Sequence, residues 1–436
     1  MFESVCLLVV LALMVFLTVR RVDVSYALVS GSVCLAVLFA VPWHTFPNGL
    51  GRALGGVVVN LGESAIDLDN LQLLGLVLFI QFLGHALKHV ASLRQLIGAL
   101  KALLPDRRAA MAVAPAFIGL LPMPGGALFS APMVGELTDD LTVPSEDRTL
   151  INFWFRHIWE WVWPLYPGVL FASAIIGAPL GRLMLAQSPM TLAAVAVGTI
   201  LCFRRVTLPP NDNDAAPRGT WGEFLAAVWP VLLIIVLTAA LGVAKHVGAP
   251  LGLPTKTALL VALLIVNPLF LVLKRVPWRE VLTLLRATVT VRICVLVYGV
   301  VTFGHVLRAY DAVEALPATF SGWGVPPLAL IFFVPLIVGL LTGYMPAVVG
   351  ISFPVLVPLL MRGTGADAAI HYGRSTFAYA GGFFGVLLSP VHLCLVLSRE
   401  YFTADVTRVY RRLFLLVGAL AVVAVGVLFL WGAVPL

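Results

Sequence analysis

The chain has 436 residues, of which 61% are hydrophobic and only 11% are charged. A soluble domain carries about 25% charged residues, so this composition indicates a polytopic membrane protein and excludes a soluble enzyme or binding module. The formal charge of +7 does not indicate nucleic-acid binding, because the basic residues stand at the ends of apolar runs. Basic residues in those places orient a membrane protein.

Apolar runs long enough to cross a bilayer recur on both sides of a polar linker, residues 206–220. The predicted spans lie near residues 3–19, 24–42, 70–87, 189–203, 223–244, 256–273, 287–307 and 410–431. The first run lacks the basic start and cleavage site of a signal peptide, so we expect a retained span. Two amphipathic stretches, 92–104 and 278–285, are predicted to lie in the membrane interface.

Two further apolar segments are interrupted by proline and glycine. Residues 108–137 contain Gly-Leu-Leu-Pro-Met-Pro-Gly-Gly from Gly119 onward, and residues 327–361 contain Gly-Leu-Leu-Thr-Gly-Tyr-Met-Pro-Ala from Gly339 onward. Proline removes a backbone donor, and a bilayer tolerates irregular backbone only inside protein or beside a watery cavity. Each segment is therefore predicted to be a re-entrant hairpin of two half-helices. A pair of Pro-kinked spanning helices is the alternative.

A long segment follows each hairpin, near residues 148–179 and 371–398. Trp-Pro-Leu-Tyr-Pro in the first and Gly-Gly and Ser-Pro in the second predict a broken helix in each. The two halves of the chain, residues 1–205 and 221–436, therefore share one order of three spans, hairpin, broken helix and span.

An internal repeat is also indicated by matched residues. The same spacing separates His85 from His305 and Gly119 from Gly339. The predicted fold class is an all-α polytopic membrane protein with about ten spanning helices in two inverted repeats, each with a re-entrant hairpin and a broken helix.

The distribution of lysine and arginine predicts the orientation. If neither hairpin crosses the bilayer, each half has an odd number of crossings and the second half is inverted. With both termini outside, most of the 28 basic residues fall on the cytoplasmic side. We therefore expect a multi-pass protein of a bacterial or archaeal cytoplasmic (inner) membrane, with residues 206–220 as a cytoplasmic linker.

The two hairpin tips are predicted to meet near mid-membrane and to form a substrate site. Half-helix N-termini expose N–H groups with a partial positive charge, which favour an anion. Hydroxyl groups near the tips could add donors, and their alternative is a bond back to their own helix. The predicted substrate-binding residues are Pro122, Met123, Pro124, Gly125, Gly126, Ser130, Thr342, Gly343, Tyr344, Met345, Pro346, Ser352, Asn152 and Arg156.

The first broken helix is predicted to carry a polar face, because its ionisable residues Arg156, His157 and Glu160 are spaced i, i+1, i+4. Ionisable groups at membrane depth are costly and by default functional. Arg156 is predicted to hold a substrate anion, and His157 or Glu160 to bind a coupling proton. An internal Arg156–Glu160 pair without a binding role is the alternative. His392 is a further candidate.

Other residues in apolar segments are predicted to be structural. No C-x-x-C pair occurs, so the cysteines are predicted to be inert core residues, and neither a metal site nor a cofactor is expected. These are Cys6, Cys34, Cys202, Cys294 and Cys394. The tryptophans of the first broken helix are predicted to form an interfacial belt or a packing surface. These are Trp154, Trp159, Trp161 and Trp163.

The tips Leu-Pro-Met-Pro-Gly-Gly and Thr-Gly-Tyr-Met-Pro-Ala, with the broken helices after them, resemble the prokaryotic membrane proteins grouped as domain of unknown function 401. Those proteins look like members of the ion-transporter superfamily, alongside gluconate, citrate and dicarboxylate carriers. The resemblance implies a homodimer in which hairpins and broken helices slide against a scaffold in an elevator motion. The Ser-Asn-Thr tips that bind carboxylate and sodium in dicarboxylate carriers are absent here.

The sequence predicts an ion-coupled secondary transporter of a small, carboxylate-like organic anion, with H⁺ or Na⁺ as the coupling ion. It is not predicted to be an enzyme, because H-E-x-x-H, G-x-S-x-G and Walker A motifs are missing. A translocase of a phosphate-bearing lipid is the alternative within transport, since apolar tips suit an acyl or prenyl chain. An intramembrane lipid-modifying enzyme or a channel is the alternative from another class.

Overall fold

The computed structural model is almost entirely helical, as predicted. It describes residues 2–20, 22–40, 50–89, 104, 106–120, 125–208, 221–246, 252–288, 291–310, 319, 322–363 and 369–433. The strands described are two short ones, β1 (Met361–Arg362) and β2 (Ala369–Ile370), which pair antiparallel. The chain is therefore an all-α protein whose core is formed by helix packing.

We number the described helices in chain order. The first half of the chain forms α1 (Phe2–Val19), α2 (Val24–Ala40), α3 (Leu50–Ile66), α4 (Leu68–His89), α5 (Arg107–Gly119), α6 (Ala127–Glu136), α7 (Ser145–Arg156), α8 (Pro167–Ile175) and α9 (Leu180–Phe203). The second half forms α10 (Trp221–His246), α11 (Thr255–Leu273), α12 (Trp278–Thr288), α13 (Val291–Ala309), α14 (Pro327–Thr342), α15 (Met345–Leu360), α16 (Tyr372–Leu388), α17 (Leu393–Phe402) and α18 (Val406–Ala433).

The described helices identify a multi-pass membrane protein. Six helical segments among them are long and apolar enough to cross a bilayer. Shorter apolar helices of 10–17 residues accompany them, including both arms of the second predicted hairpin. The amphipathic helix predicted near 278–285 is confirmed as α12, whereas nearly all of the stretch 92–104 lies outside the described residues.

Helix α3 is missing from the spans predicted by sequence. Polar residues interrupt its apolar run, and these residues bind it to the region around α13. Asn60 Nδ2 donates to the Tyr310 hydroxyl at 3.3 Å, and the hydroxyls of Ser64 and Thr302 lie 2.7 Å apart. The polar groups that pair inside the protein are therefore the same groups that obscured the helix in the hydropathy pattern.

Both predicted hairpins are present as pairs of helices. In the first, α5 and α6 flank residues 120–126, of which residues 121–124 lie outside the described residues. In the second, α14 ends at Thr342 and α15 starts at Met345. Gly125 and Gly343 adopt positive φ angles of 70° and 62°, a conformation that glycine adopts without steric cost. The chain therefore reverses at each tip through a glycine.

The hairpins and broken helices pack against each other both within each half of the chain and between the two halves. Helix α5 packs against α7, and α14 packs against α16, within each half. Across the halves, α6 packs against α17 and α15 packs against α8. Each hairpin is thus held by the broken helix of its own half and by the end of the other one.

A capping bond recurs at equivalent positions in the two halves. Trp163 Nε1 donates to the carbonyl of Leu120, just after the end of α5, at 2.8 Å. The Ser389 hydroxyl donates to the carbonyl of Leu340, near the end of α14, at 2.7 Å. Both donors directly precede a proline at the break of their helix. The break of each long helix therefore satisfies backbone acceptors that its hairpin leaves open.

A second bond recurs at the far end of each hairpin. Arg148 donates to the carbonyls of Thr138 and Val143, at 3.0 and 3.1 Å. Arg374 donates to the carbonyls of Leu359 and Met361, at 3.1 and 3.2 Å. The two arginines hold together the chain that leaves each hairpin and the helix that follows.

The contact between α14 and α16 depends on small residues. A side chain at Gly381 would overlap the Phe332 carbonyl oxygen, and one at Gly385 would overlap the Leu336 carbonyl oxygen. The two glycines stand four residues apart on α16, the spacing that lets membrane helices approach closely. This contact fixes the first arm of the second hairpin to the second broken helix.

We predict that Gly385→Val destabilises the protein, because the new side chain forces α14 and α16 apart. Overpacking of this kind costs about 1–3 kcal/mol. The measurement is the melting temperature of the detergent-purified protein. The matched control is Gly418→Val on α18, where an added Cβ has no heavy atom within 4 Å. Equal melting temperatures of the two variants would contradict the role given to this contact.

Candidate functional site

The first broken helix ends earlier than predicted. Helix α7 stops at Arg156, and residues 157–166 continue as turns before α8 begins at Pro167. The prediction that Arg156, His157 and Glu160 share one helical face is therefore wrong. The helix ends because the following residues turn across the end of α5 and bind its carbonyl groups.

Four side chains from Arg156 onward cap the C-terminal end of α5. The last carbonyls of a helix have no partner within it, and inside a bilayer each open one is costly. The four bonds are Trp159 Nε1 to Ala116 O (2.9 Å), Arg156 Nη1 to Ile118 O (3.2 Å), Tyr166 Oη to Gly119 O (2.5 Å) and Trp163 Nε1 to Leu120 O (2.8 Å). Trp159 and Trp163 are therefore capping residues, and both also pack against the core.

Arg156 lies against the tip of the first hairpin. Its side chain is 3% exposed, and its Nε donates to Cys394 Sγ at 3.5 Å. A Cβ at Gly126, the residue that precedes α6, would overlap the guanidinium group, so any other residue here would displace the Arg156 side chain. The guanidinium charge thus stands beside the positive end of the α6 dipole. Two positive features at one buried point favour an anion as their partner.

Asn152 joins this point to the second broken helix. It is fully buried, and its Nδ2 donates to the Ala127 carbonyl at 3.3 Å and to the Ser398 hydroxyl at 2.8 Å. Within the described part of the chain, its Oδ1 accepts no hydrogen bond. A buried acceptor without a partner costs free energy unless a ligand or water supplies a donor.

The predicted hydroxyl donors are bound locally. Ser130 donates to the Ala127 carbonyl at 3.5 Å, and Ser352 donates to the Val348 carbonyl. Thr342 Oγ1 accepts the Tyr344 backbone N–H at 3.4 Å. The two serine bonds are the alternative that the sequence left open, and they favour a structural role for Ser130 and Ser352, whereas the Thr342 hydroxyl accepts in its bond and keeps its hydrogen to donate.

Both hairpin tips reach the second broken helix. An added Cβ at Gly125 would lie 3.5 Å from Leu397, and one at Gly343 would lie 3.0 Å from the backbone nitrogen of His392. The break between α16 and α17 thus stands beside both tips. Pro122, Met123 and Pro124 lie outside the described residues, so their predicted binding role stays a prediction.

The remaining residues of the second tip differ in how far their side chains are buried. Met345 and Pro346 are buried, and Met345 packs against Gly168 in the first turn of α8. The Tyr344 side chain is exposed. The second tip is therefore fixed to the first broken helix by Met345.

His157 and His392 meet between the two broken helices. Their Nε2 atoms are 3.1 Å apart, and His157 Nε2 is 3.7 Å from a carboxylate oxygen of Glu160. Cys394 lies beside them, and its Sγ and one ring nitrogen of each histidine all lie within 4.8 Å of one another. Cys394 therefore has two ionisable neighbours, and its role as an inert core residue stays a prediction. Its one sequence signal was its position two residues after a histidine at a predicted break.

Comparison with known proteins identifies the family. The family described as "Protein of unknown function (DUF401)" matches residues 3–430, so this chain belongs to it. No curated protein sequence matches the chain.

Two solved structures are similar to this chain. MtrF of Neisseria gonorrhoeae, reported to illuminate a class of antimetabolite efflux pumps, is 15% identical over 88% of this chain and 85% of its own, with a TM-score of 0.48. The YdaH transporter of Alcanivorax borkumensis, reported to have an unusual topology, is 16% identical over 97% of both chains, with a TM-score of 0.49. Both scores are below 0.5, and neither likeness supports a statement about this protein's function.

We predict that Gly126→Val displaces the Arg156 guanidinium and weakens anion binding. The measurement is the rise in melting temperature that carboxylates, sugar acids or phosphonates produce in the purified protein, since only native-state binding stabilises it. The control is Gly84→Val on α4, where an added Cβ meets no atom within 4 Å. A stabilisation that survives in Gly126→Val would remove the first tip from the site.

Proposed function

We propose that this protein is an ion-coupled secondary transporter of a small organic anion. The observation that carries the proposal is the buried Arg156 guanidinium at the N-terminal end of α6. A buried charge persists only where partners stabilise it, and ionisable groups at membrane depth are by default functional. An anion bound here would be held by the guanidinium and by backbone N–H groups at the start of α6.

The packing supports a carrier that moves one body against another. Hairpins and broken helices hold each other through the contacts between the two halves of the chain, α6 with α17 and α15 with α8. Helices α1, α2 and α3 pack on one another or on α13, and α4 packs on α11 and α12. We propose that the first group is the moving domain of an elevator and the second group its scaffold, in a homodimer.

We also propose that residues 1–205 and 221–436 are inverted repeats. The proposal is supported by the matched capping bonds of Trp163 and Ser389 and by the matched arginines Arg148 and Arg374. Transport fits this arrangement better than catalysis, because two inverted halves around a midplane site are suited to alternating access.

A phosphate-bearing lipid is the second candidate substrate. Large apolar side chains are exposed beside the tips, namely Leu128, Val391 and Leu393, which are about half exposed or more. An acyl or prenyl chain could lie along them while its phosphate binds Arg156. Stabilisation of the purified protein by lipid phosphates alone, with no effect of soluble anions, would select this candidate.

We predict that Arg156→Ala abolishes anion binding and that Arg156→Lys weakens it. A hydrogen bond to a charged group contributes about 1.5–3 kcal/mol, so the dissociation constant should rise about 10- to 150-fold for each such bond lost. The measurement is a titration of the anion that stabilises the wild type most, on protein that elutes as one symmetrical peak. The control is Arg408→Ala, whose side chain is exposed. Unchanged affinity in both Arg156 variants would contradict the proposal.

The coupling ion is tested with the protein reconstituted in liposomes. We propose H⁺ or Na⁺, because a carrier without a nucleotide site takes its energy from an ion gradient. Uptake of the same anion is followed under a Na⁺ gradient alone and under a pH gradient alone, with the membrane potential clamped. We expect accumulation above the outside concentration under one of them. Equilibration without accumulation under both would indicate a channel or an uncoupled carrier.

A further inference from the structure

The His157 and His392 rings are each fixed by a backbone carbonyl. His157 Nδ1 lies 2.5 Å from the Phe153 carbonyl oxygen, and His392 Nδ1 lies 2.9 Å from the Val386 carbonyl oxygen. A carbonyl oxygen only accepts, so each Nδ1 carries the proton and donates. Each Nε2 therefore presents its lone pair when the ring is neutral.

The two Nε2 atoms lie close together. The Nε2 atoms are 3.1 Å apart in a site where both side chains are more than nine-tenths buried. Two acceptors at that distance repel, so a cation is needed between them. Ligands bound at 2.0–2.1 Å by a tetrahedral zinc ion lie about 3.3 Å apart, which is close to the observed separation. A backbone carbonyl on the second ring nitrogen is also the usual support of a metal-bound histidine.

The presence of a third donor atom, Cys394 Sγ, favours a metal ion over a proton shared by the two histidines. A proton held between the imidazoles would use two ligand atoms, whereas Cys394 Sγ is a third one, within 4.8 Å of a ring nitrogen of each histidine. Arg156 Nε donates to this sulfur at 3.5 Å and so favours the thiolate, which is the form that binds a metal. The Glu160 carboxylate, 3.7 Å from His157 Nε2, is within reach of a fourth position.

We propose that His157 Nε2, His392 Nε2 and Cys394 Sγ bind a divalent transition-metal ion of the zinc class, with Glu160 at the fourth position. Two imidazoles and a thiolate are the donors that zinc and its neighbours prefer, and they are poor ligands for Mg²⁺ or Ca²⁺. The ion would join the break after α7 to the break before α17. It takes the place of the coupling proton predicted for His157 and Glu160. The inference goes beyond anion transport and stands without it.

The test uses full-length protein in nanodiscs, stripped with a chelator and titrated with Co²⁺. Tetrahedral Co²⁺ absorbs in the visible range, and a thiolate ligand adds a charge-transfer band in the near ultraviolet. We expect one Co²⁺ per chain, both absorptions, and displacement of Co²⁺ by Zn²⁺. Metal analysis of the titrated and desalted protein gives the stoichiometry independently of the spectrum.

Single substitutions identify which residues bind the Co²⁺ ion. Cys394→Ser should lose the charge-transfer band, and His392→Ala and His157→Gln should lose Co²⁺ binding. The controls are Cys202→Ser, which alters a buried cysteine in α9, and His305→Ala on α13, and both should keep the full spectrum. Gel-filtration profiles and melting temperatures show that each variant is folded.

Folded wild-type protein that binds no Co²⁺ would overturn the proposal. A proton shared by the two histidines would then explain the short distance between their Nε2 atoms. A charge-transfer band that survives in Cys394→Ser would overturn the ligand set. Neither result depends on an anion, so failure here is distinct from failure of the transport proposal. Loss of anion binding in Arg156→Ala with an intact cobalt spectrum would leave both proposals standing.

Discussion

The structure depends on Arg156, a charged side chain that is buried where the first hairpin meets both broken helices. Burying a guanidinium is costly, so its surroundings must supply hydrogen bonds and favourable charge. Arg156 binds a carbonyl at the end of α5 and the sulfur of Cys394 on α17, and it lies against Gly126 before α6. One side chain therefore connects both arms of the first hairpin to the second half of the chain, and any movement of these elements has to carry it along.

Interrupted helices leave open backbone groups, and in this protein side chains of the other interrupted helices satisfy them. The end of α5 is capped by indole, phenol and guanidinium donors from residues 156–166. Near the end of α14, the Leu340 carbonyl is capped by Ser389. Because each hairpin needs its broken helix in this way, the four elements form one packed unit. The same dependence explains why the polar residues of these segments are concentrated at the breaks.

The sequence predicted the elements well and the contacts between them poorly. The proline and glycine positions, together with the hydropathy pattern, predicted both hairpins and both broken helices, because proline and glycine act on the local backbone. Hydropathy missed α3, because Asn60 and Ser64 are paired inside the protein and local patterns cannot show a distant partner. Helical spacing placed Glu160 wrongly, because α7 ends where it turns to cap α5. The surroundings of Cys394 could not be predicted, because its neighbours His157 and Arg156 come from the other half of the chain. The sequence singled out Gly126 and Arg156, since a glycine tip and an arginine are each unusual in a membrane; the two residues lie in contact, and their binding role stays a prediction.

The most direct test of this account is a cryo-EM structure of the protein with the soluble anion that stabilises it most. We expect density for the anion between the Arg156 guanidinium and the backbone N–H groups at the start of α6, within hydrogen-bonding distance of both. The Asn152 side chain should lie at the edge of this density. Anion density elsewhere in the protein, with Arg156 still bound only to Ile118 and Cys394, would contradict the central claim.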